Sequence, residues 1–425
     1  MDKDSNKLGF WSIVLLGING IIGSGIFLLP NNAYKSMGTA SILAFLCAMI
    51  LALFIALVIA ENASLFNDDG GPYLYTKEAF GDFVGYEIGI VNWIAQIVAF
   101  ATVVNGFVTT LSGVSSIFND SIVKNITIAI VFLLLAILNI RGLKLNRNVN
   151  NILTISKLVP LVLFLAIGIF FLNGAHYQPI VAEGVLEPNN FSQTIFLIFY
   201  AFGGFESLPL VAGEMKNPRK NLPRAIVATI LMVSLIYVLL QIVSIGILGS
   251  DLANSVVPVQ DAFTKIAGPF GGAIVAAGTI VASAGACVAG AFWMSRPGVA
   301  MSENKMLPQF LSQKNKFDMP HYGIIVSMVI AFLVSLSGSF VFLSQISSVI
   351  TFVIFIPTTL ALIVFRFKHK ERKGAFTVKG GLTIPILVII FSVILLTQTT
   401  FVQWISLILT FMVAIPFYFV YYRRN

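Results

Sequence analysis

The chain has 425 residues, of which 57% are hydrophobic and 10% are charged, and its mean hydropathy is +0.93. A soluble domain carries about a quarter of its residues as charged side chains, so this composition excludes a protein whose whole surface faces water. The net charge of +8 needs no nucleic-acid partner, because the position of the basic residues relative to a membrane accounts for it.

Apolar stretches of about 20 residues cross a bilayer as helices, and twelve such stretches are predicted along this chain. They are Phe10–Ala33, Ser41–Ala60, Phe83–Leu111, Ile122–Ile140, Ile152–Leu172, Phe191–Gly213, Ala225–Leu248, Gly271–Met294, Gly323–Leu336, Phe342–Phe365, Leu382–Thr397 and Trp404–Tyr422. The stretches are too long and too continuous for the alternating strands of a membrane β-barrel. The predicted fold class is an all-α integral membrane protein with twelve transmembrane helices in a single domain, residues 1–425.

The basic residues predict how this bundle is oriented in the membrane. An even number of spans puts both termini on one side, and the loops on that side hold all but four of the 26 lysines and arginines. Lys35, Lys124 and Lys265 fall in the opposite loops, and Lys157 falls inside the fifth span. Because cytoplasmic loops are enriched in basic residues, we expect a multi-pass protein of the cell membrane with both termini in the cytoplasm.

Glycines interrupt the first and the sixth predicted spans near mid-depth. Four glycines fall within residues 17–25, and Gly203 and Gly204 follow each other in the sixth span. Unpaired peptide groups cost several kcal/mol each in lipid, so a broken helix persists only where it lines a cavity. Glycines that merely allow close helix packing explain either span alone equally well, but matched interruptions in two halves of a chain are typical of an inverted-repeat transporter site.

The chemistry of such a break favours one class of ligand. Where the helix restarts after Gly25, free N–H groups and the positive end of the helix dipole suit a carboxylate. Where the preceding half ends near Ile21, free carbonyl groups suit an ammonium group. An α-amino acid carries both groups side by side, so we expect a small-molecule amino acid ligand.

Several motifs resemble the amino acid–polyamine–organocation (APC) superfamily. The residues are Gly23-Ser24-Gly25-Ile26-Phe27, Gly70-Gly71-Pro72-Tyr73, Tyr200 to Glu206 and the long stretch Glu214 to Ile226. The resemblance covers essentially the whole chain and implies a transporter with the leucine-transporter fold. In that fold helices 1–5 (about residues 10–172) and helices 6–10 (about residues 191–365) are inverted repeats, helices 1 and 6 are broken, and the last two helices (about residues 382–422) are peripheral.

The resemblance also implies a set of substrate-binding residues, namely Ile21, Gly23, Ser24, Gly25, Tyr200 and Gly203. The amides of Ser24 and Gly25 would hold the substrate carboxylate, with Gly23 permitting close approach. Carbonyl groups at the other three positions would meet the substrate amine. Tyr200 matches an aromatic gate over the substrate, although without the resemblance it would be read as an ordinary packed aromatic.

Two charged residues lie well away from the ends of predicted spans and are candidates for coupling. Lys157 is about 10 Å from the cytoplasmic end of its span, where a lysine could also reach the inner surface. The resemblance places its ammonium where sodium-coupled relatives hold sodium, so we expect it either to titrate or to tie helix 5 to helix 1. Glu206, about 12 Å deep, is a helix-break stabiliser, a proton-linked switch or a member of an ion-pair network, and the first role is favoured.

These residues predict neutral L-amino acids as substrates, because the spans offer no acid besides Glu206 and no obvious arginine. Cationic amino acids or polyamines are the alternative, with Glu206 as their partner. Sodium coupling is disfavoured, protons are the candidate coupling ion, and symport and exchange remain equally open. An intramembrane enzyme is a distant alternative: His176, His321 and His369 fall in separate loops, and no cofactor, catalytic residue or metal site is predicted.

Overall fold

The computed structural model describes residues 8–66, 71–142, 147–181, 187–368 and 376–419. Gly70 of the motif above and residues 420–422 of the last predicted span lie outside these ranges. Fifteen α-helices are numbered in chain order within them. They are α1 (Phe10–Ile21), α2 (Ser24–Met37), α3 (Ser41–Leu65), α4 (Pro72–Phe80), α5 (Asp82–Leu111), α6 (Ser121–Ile140), α7 (Arg147–Gly168), α8 (Pro188–Phe202), α9 (Pro218–Leu248), α10 (Pro258–Trp293), α11 (Arg296–Glu303), α12 (His321–Leu336), α13 (Phe340–Lys368), α14 (Thr383–Thr397) and α15 (Phe401–Phe417).

The described part of the chain is all-helical, and the predicted membrane class is confirmed. Seven helical segments in it are long and apolar enough to cross a membrane, or up to eight if α14 and α15, bent by 113°, form one span. Helices α1 and α12 are apolar but shorter. The count of twelve spans stays a prediction, because interrupted segments such as α1 and α8 fall short of a full crossing when each piece is measured alone.

Three helical pieces occupy stretches that the prediction left between spans. They are α4, α11 and the first part of α10, which bends at Gly268 (φ 68°) before the membrane-crossing part begins. Helix α4 starts with Pro72, whose fixed φ suits a first helical position, and stops before Gly81 (φ 93°). These pieces are too short or too polar for a span, so hydropathy alone does not detect them.

Two groups of helices form the core that positions the site. In one, α1, α3, α8 and α9 pack together, and the backbone of Gly17 approaches Thr229 so closely that a Cβ there would stand 2.9 Å from it. In the other, polar side chains join the helices: Asn105 Nδ2 on α5 donates to Ser335 O on α12 at 2.8 Å, and Asn139 Nδ2 on α6 donates to Ala291 O on α10 at 2.5 Å. Small residues and interhelical hydrogen bonds are how helices associate in lipid.

Candidate functional site

The first predicted span is interrupted at Ile22 and Gly23. Helix α1 ends at Ile21, and the next two residues have extended backbones, with φ −73° and ψ 101° at Ile22 and φ −130° and ψ −152° at Gly23. Helix α2 restarts at Ser24, so the expectation of a restart after Gly25 is wrong by two residues. The correction leaves the chemistry intact, because the amides of Ser24 and Gly25 now belong to the first turn of α2, where N–H groups have no intrahelical acceptor.

The sixth predicted span is interrupted at Gly203 and Gly204. Helix α8 ends at Phe202, Gly204 adopts φ 119°, and a 3₁₀ segment follows from Phe205 to Glu214. The carboxylate of Glu206 accepts a hydrogen bond from Gly204 N at 2.8 Å. This contact supports the helix-break role of Glu206, since it satisfies a peptide group that the break leaves without a helical partner.

The two interruptions lie against each other. A Cβ on Gly204 would stand 2.7 Å from Gly20 O, and a Cβ on Gly25 would stand 3.3 Å from Ala201. Tyr237 on α9 bridges them, because its hydroxyl donates to Ala201 O at 2.9 Å and lies 3.4 Å from Ile21 O. The sequence analysis missed Tyr237, which nothing in the pattern of α9 separates from an ordinary core tyrosine.

A cavity of about 100 Å³ lies at the junction of the two interruptions. Its lining includes all of the predicted substrate-binding residues and Glu206, namely Ile21, Gly23, Ser24, Gly25, Tyr200, Gly203 and Glu206. The opposite walls come from α5, α10 and α13, whose contributions the sequence analysis did not identify. Among the described lining residues, Glu206 alone carries a formal charge, and its carboxylate is already engaged by Gly204 N.

Uncharged polar side chains also line this cavity. Asn92 and Gln96 come from α5, Ser207 follows the second interruption, and Thr351 comes from α13. Gln96 Nε2 lies 3.4 Å from Ser207 Oγ. The single amides and hydroxyls of these helices have no distinctive spacing in the sequence, and only the packing brings them together.

The predicted gate residue Tyr200 lies on the last turn of α8 and faces α2 and α13. Its ring contacts the Phe340 ring edge to face at a centroid distance of 5.7 Å. Its Cδ1 atom would stand 3.7 Å from a Cβ on Gly25. The ring therefore lies beside the first turn of α2, where the resemblance places the substrate carboxylate.

Lys157 on α7 is fully buried beside the first interruption. Its Nζ donates to Asn19 O at 2.8 Å and to Ile22 O at 2.6 Å. The alternative that this lysine reaches the membrane surface is wrong, because the side chain is fully buried and its ammonium bonds backbone oxygens at the first interruption. Thr154, one turn earlier, contacts Leu15 O at 3.2 Å, so α7 is tied to α1 at two points, and Lys157 is not among the residues that line the cavity.

The chain is similar in sequence to known proteins along most of its length. A profile of a family described as amino acid permease matches residues 8–421. An uncharacterised transporter of Mycobacterium tuberculosis is 32% identical, over 91% of this chain and 86% of its own length. The serine/threonine exchanger SteT of Bacillus subtilis is 29% identical over 98% and 96% of the two chains, and the branched-chain amino acid permease BcaP of the same organism is 26% identical over 99% and 93%.

Proposed function

The chain belongs to the amino acid permease family of the APC superfamily, and on that premise we propose that it moves neutral L-amino acids across the cell membrane by alternating access. The proteins it resembles along their length are transporters. The chain is accordingly a membrane transporter and not an enzyme. What remains to be assigned is which substrates it takes and how their movement is driven.

The observation that carries the proposal is the meeting of two interrupted helices at one cavity. The first turn of α2 offers the amides of Ser24 and Gly25 to a carboxylate. The end of α1 offers Ile21 O to an ammonium group, and Gly203 lines the same cavity. Tyr200 O already accepts from Gly203 N at 3.0 Å, and Ile21 O accepts from the Tyr237 hydroxyl at 3.4 Å, so each of these two carbonyls has one acceptor position fewer for the substrate amine.

The charges of the cavity support neutral substrates over cationic ones. A cationic side chain or a polyamine needs a carboxylate partner, and Glu206 is the one acid among the described lining residues. Because Glu206 already accepts a hydrogen bond at the second interruption, using it for a substrate would compete with holding the break. Neutral amino acids need no such partner.

The contacts of Lys157 support transport without sodium coupling. Its ammonium fills the space between α7 and the end of α1 and bonds two backbone oxygens there. These oxygens are the ligand type that a sodium ion would take, and the ammonium occupies them in its place. We therefore propose that the protein works as a proton symporter or as an amino acid exchanger. The buried lysine supports proton symport, and the exchanger among its relatives supports exchange to the same degree.

We propose the leucine-transporter fold for the whole bundle, with twelve spans and inverted repeats near residues 10–172 and 191–365. Two matched pairs of features support it. Interruptions occur in the first and sixth segments, a short helix precedes the glycine bend at Gly81 before α5, and a second short helix precedes the glycine bend at Gly268 inside α10. The basic residues support cytoplasmic termini, with the helices near residues 382–422 peripheral.

The test is transport by the purified protein in liposomes. Uptake of a panel of radiolabelled amino acids is measured under a proton gradient, under a sodium gradient and with amino acid loaded inside. We expect uptake or counterflow of neutral amino acids that a sodium gradient does not accelerate. Counterflow of arginine, lysine or a polyamine in preference to neutral substrates would move the assignment to the cationic class, and counterflow of no amino acid would overturn it.

A further inference from the structure

The cavity extends to one side of the first interruption. On α10, Ala286 lies beside Gly23 at the interruption, and the lining residues of this helix run from there to Trp293, toward α11. On α5 the lining residues run from Val103 to Asn92, which is about 17 Å toward the start of the helix. Of the described residues of α2, only the first two line the cavity. The cavity therefore points toward the connection between α3 and α5, which the basic residues favour as the cytoplasmic side.

On the other side of the interruption the helices are in direct contact. The backbone of Gly106 on α5 lies against α2 and α13, because a Cβ there would stand 2.1 Å from Ser24 Oγ and 3.0 Å from Phe340 Cε2. The Phe340 ring packs in turn on Tyr200 of α8. On α13 the described lining residues begin only at Ser347, seven residues past Phe340. Helices α2, α5, α8 and α13 thus close the cavity at this level.

A hydrogen-bond network further from the cavity joins α2 to the segment before α10. Asn31, about 11 Å beyond Ser24 along α2, donates from Nδ2 to Ser255 O at 2.6 Å. Its Oδ1 accepts from Asn32 Nδ2 at 2.7 Å, so the nitrogen of the Asn31 amide is the atom that faces Ser255. The hydroxyl of Ser255 donates to the Asp261 carboxylate on the first part of α10. We call Asn31, Asn32, Ser255 and Asp261 the outer network.

The first part of α10 is fixed in turn to the end of α5. Gln260 Nε2 donates to Gly113 O at 3.2 Å, and a Cβ on Gly113 would stand 2.8 Å from Val257 Cγ1. Helix α2 continues the first broken span, whereas α5 forms a wall of the cavity. The outer network therefore connects the broken span, through the first part of α10, to the cavity wall. A substrate can reach the interruption from this side only if α2 separates from the segment that Asn31 bonds.

We propose that this structure is the conformation in which the cavity faces the cytoplasm, and that the Asn31 side chain holds the outer side closed through its bond to Ser255. The inference rests on the proposed function, because alternating access requires a second conformation in which the outer side is open. The bond of Asn31 must break before that conformation forms. Asn31 is a positioning residue, since it sets the balance between the two conformations and lies two turns away from the residues proposed to bind the substrate.

Two single-cysteine reporters measure this balance in a variant that lacks Cys47 and Cys287. Thr110 lies about two turns beyond Val103 on the same face of α5, is 3% exposed and is not among the residues that line the cavity. With Thr110→Cys, a thiol reagent reaches the new side chain from outside only when the outer side opens. Ala99 lines the cavity, so with Ala99→Cys the reagent reaches the new side chain from the cytoplasm while the cavity faces it.

The experiment measures the labelling rate of each reporter by a membrane-impermeant thiol reagent. Intact cells are used for Thr110→Cys and inside-out membrane vesicles for Ala99→Cys. With Asn31 intact, we expect slow labelling at position 110 and fast labelling at position 99. Adding Asn31→Ala should raise the rate at position 110 about two- to tenfold, the shift that loss of one hydrogen bond produces. It should not raise the rate at position 99, whereas a loosened fold would raise both.

Two further variants keep the result interpretable. Asn31→Asp keeps the shape of the side chain and removes the donor, so it decides the question if Asn31→Ala does not fold; it should raise the rate at position 110 in the same way. Asn139→Ala removes a matched bond from an asparagine amide to a backbone carbonyl, between α6 and α10, and should leave both rates unchanged.

Two outcomes of the labelling would overturn the proposal. One is fast labelling at position 110 with Asn31 intact, and the other is a rate at that position that neither Asn31 variant changes. Either outcome leaves the transport function standing if the unaltered protein takes up amino acids into liposomes. Counterflow of no amino acid by the unaltered protein would overturn the transport function and, with it, the role of Asn31.

Discussion

Lys157 shows how a single residue stabilises a broken helix inside a membrane. The end of α1 leaves carbonyl groups without helical partners, and in lipid no water replaces those partners. At this break the ammonium of Lys157 donates to Asn19 O and Ile22 O, and the two carbonyl groups in turn solvate the buried charge. The lysine and the break therefore depend on each other.

Replacing Lys157 by alanine is expected to abolish transport or to uncouple it from its driving gradient. A hydrogen bond to a charged group is worth roughly 1.5–3 kcal/mol, so the loss of two such bonds should lower uptake about tenfold or more. Uptake into liposomes is the measurement, with folding checked by size-exclusion chromatography. A flattened pH profile in the residual activity would indicate that the lysine titrates, whereas a lower rate with an unchanged profile would indicate a tether.

The matched control for this variant is Lys265→Ala. Lys265 is about half exposed, and its ammonium lies 3.7 Å from the Asp251 carboxylate at the surface. Exposed ion pairs contribute about 0–1 kcal/mol, so we expect uptake by the control to match the unaltered protein. Unchanged uptake by Lys157→Ala as well would refute the role proposed for Lys157.

At the scale of elements, the second interruption requires glycine for two separate reasons. Gly204 has φ 119°, which other residues rarely adopt, and a Cβ there would meet Gly20 O at 2.7 Å. The first reason concerns the backbone of the interruption itself, and the second concerns its contact with α1. Only the second is specific to the meeting of the two broken helices.

Gly204→Ala should therefore reduce transport strongly while Gly38→Ala should not. Gly38 also has a positive φ (53°), but nothing lies within 4 Å of its Cβ position. Strained backbone costs roughly 1–3 kcal/mol in either variant, so a difference in uptake between them isolates the contact with Gly20. Equal uptake by the two variants would show that the close approach of α1 and the second interruption is not needed for transport.

A buried ion pair ties together elements that lie far from the cavity. Glu61 at the end of α3 accepts from Arg366 Nε on α13 at 2.7 Å and from Val378 N at 2.8 Å. The same arginine donates to Gly381 O in the segment before α14. These hydrogen bonds of Glu61 and Arg366 join α3, α13 and the segment before α14 at one end.

Glu61→Gln is expected to destabilise the protein by about 3–5 kcal/mol, since it leaves the Arg366 charge buried without its partner. The midpoint of thermal unfolding in detergent measures the effect. Asp251→Asn, which breaks an exposed pair with Lys265, should shift the midpoint much less. Similar shifts in both variants would mean that the buried pair contributes no more than a surface one.

At the scale of the whole molecule, the orientation follows from charge and is open to direct labelling. Single cysteines would replace Ser115, between α5 and α6, and Gln313, between α11 and α12, in a variant lacking Cys47 and Cys287. Both sites are exposed. A membrane-impermeant thiol reagent added to intact cells should label the cysteine at position 115 and leave the one at 313 unlabelled until the cells are opened. The reverse pattern would contradict the cytoplasmic placement of the termini.

The sequence by itself determined the membrane class, the two interruptions and the charge of Lys157 inside a span. Each of these has a local cause, because backbone groups in lipid must pair within their own helix. Hydropathy therefore identifies the helices, glycines indicate where they are interrupted, and a single charged residue is easily recognised in an apolar segment. The predicted binding residues cluster around those breaks for the same reason. The expected restart of the first broken helix was wrong by two residues, because α2 begins at Ser24.

Only the tertiary structure decided what faces these local features. Tyr237 bridges the two interruptions from α9, and Phe100 meets Gly290 across the cavity. Neither residue could be identified from the sequence, because aromatic side chains are common along apolar helices. The partners of Lys157 likewise depended on how α7 packs on α1, and this packing excludes the alternative that the lysine reaches the surface. Contacts between helices are set by rotation and depth of packing, which hydropathy does not encode, whereas each helix and its breaks are set by the demands of lipid on its own backbone.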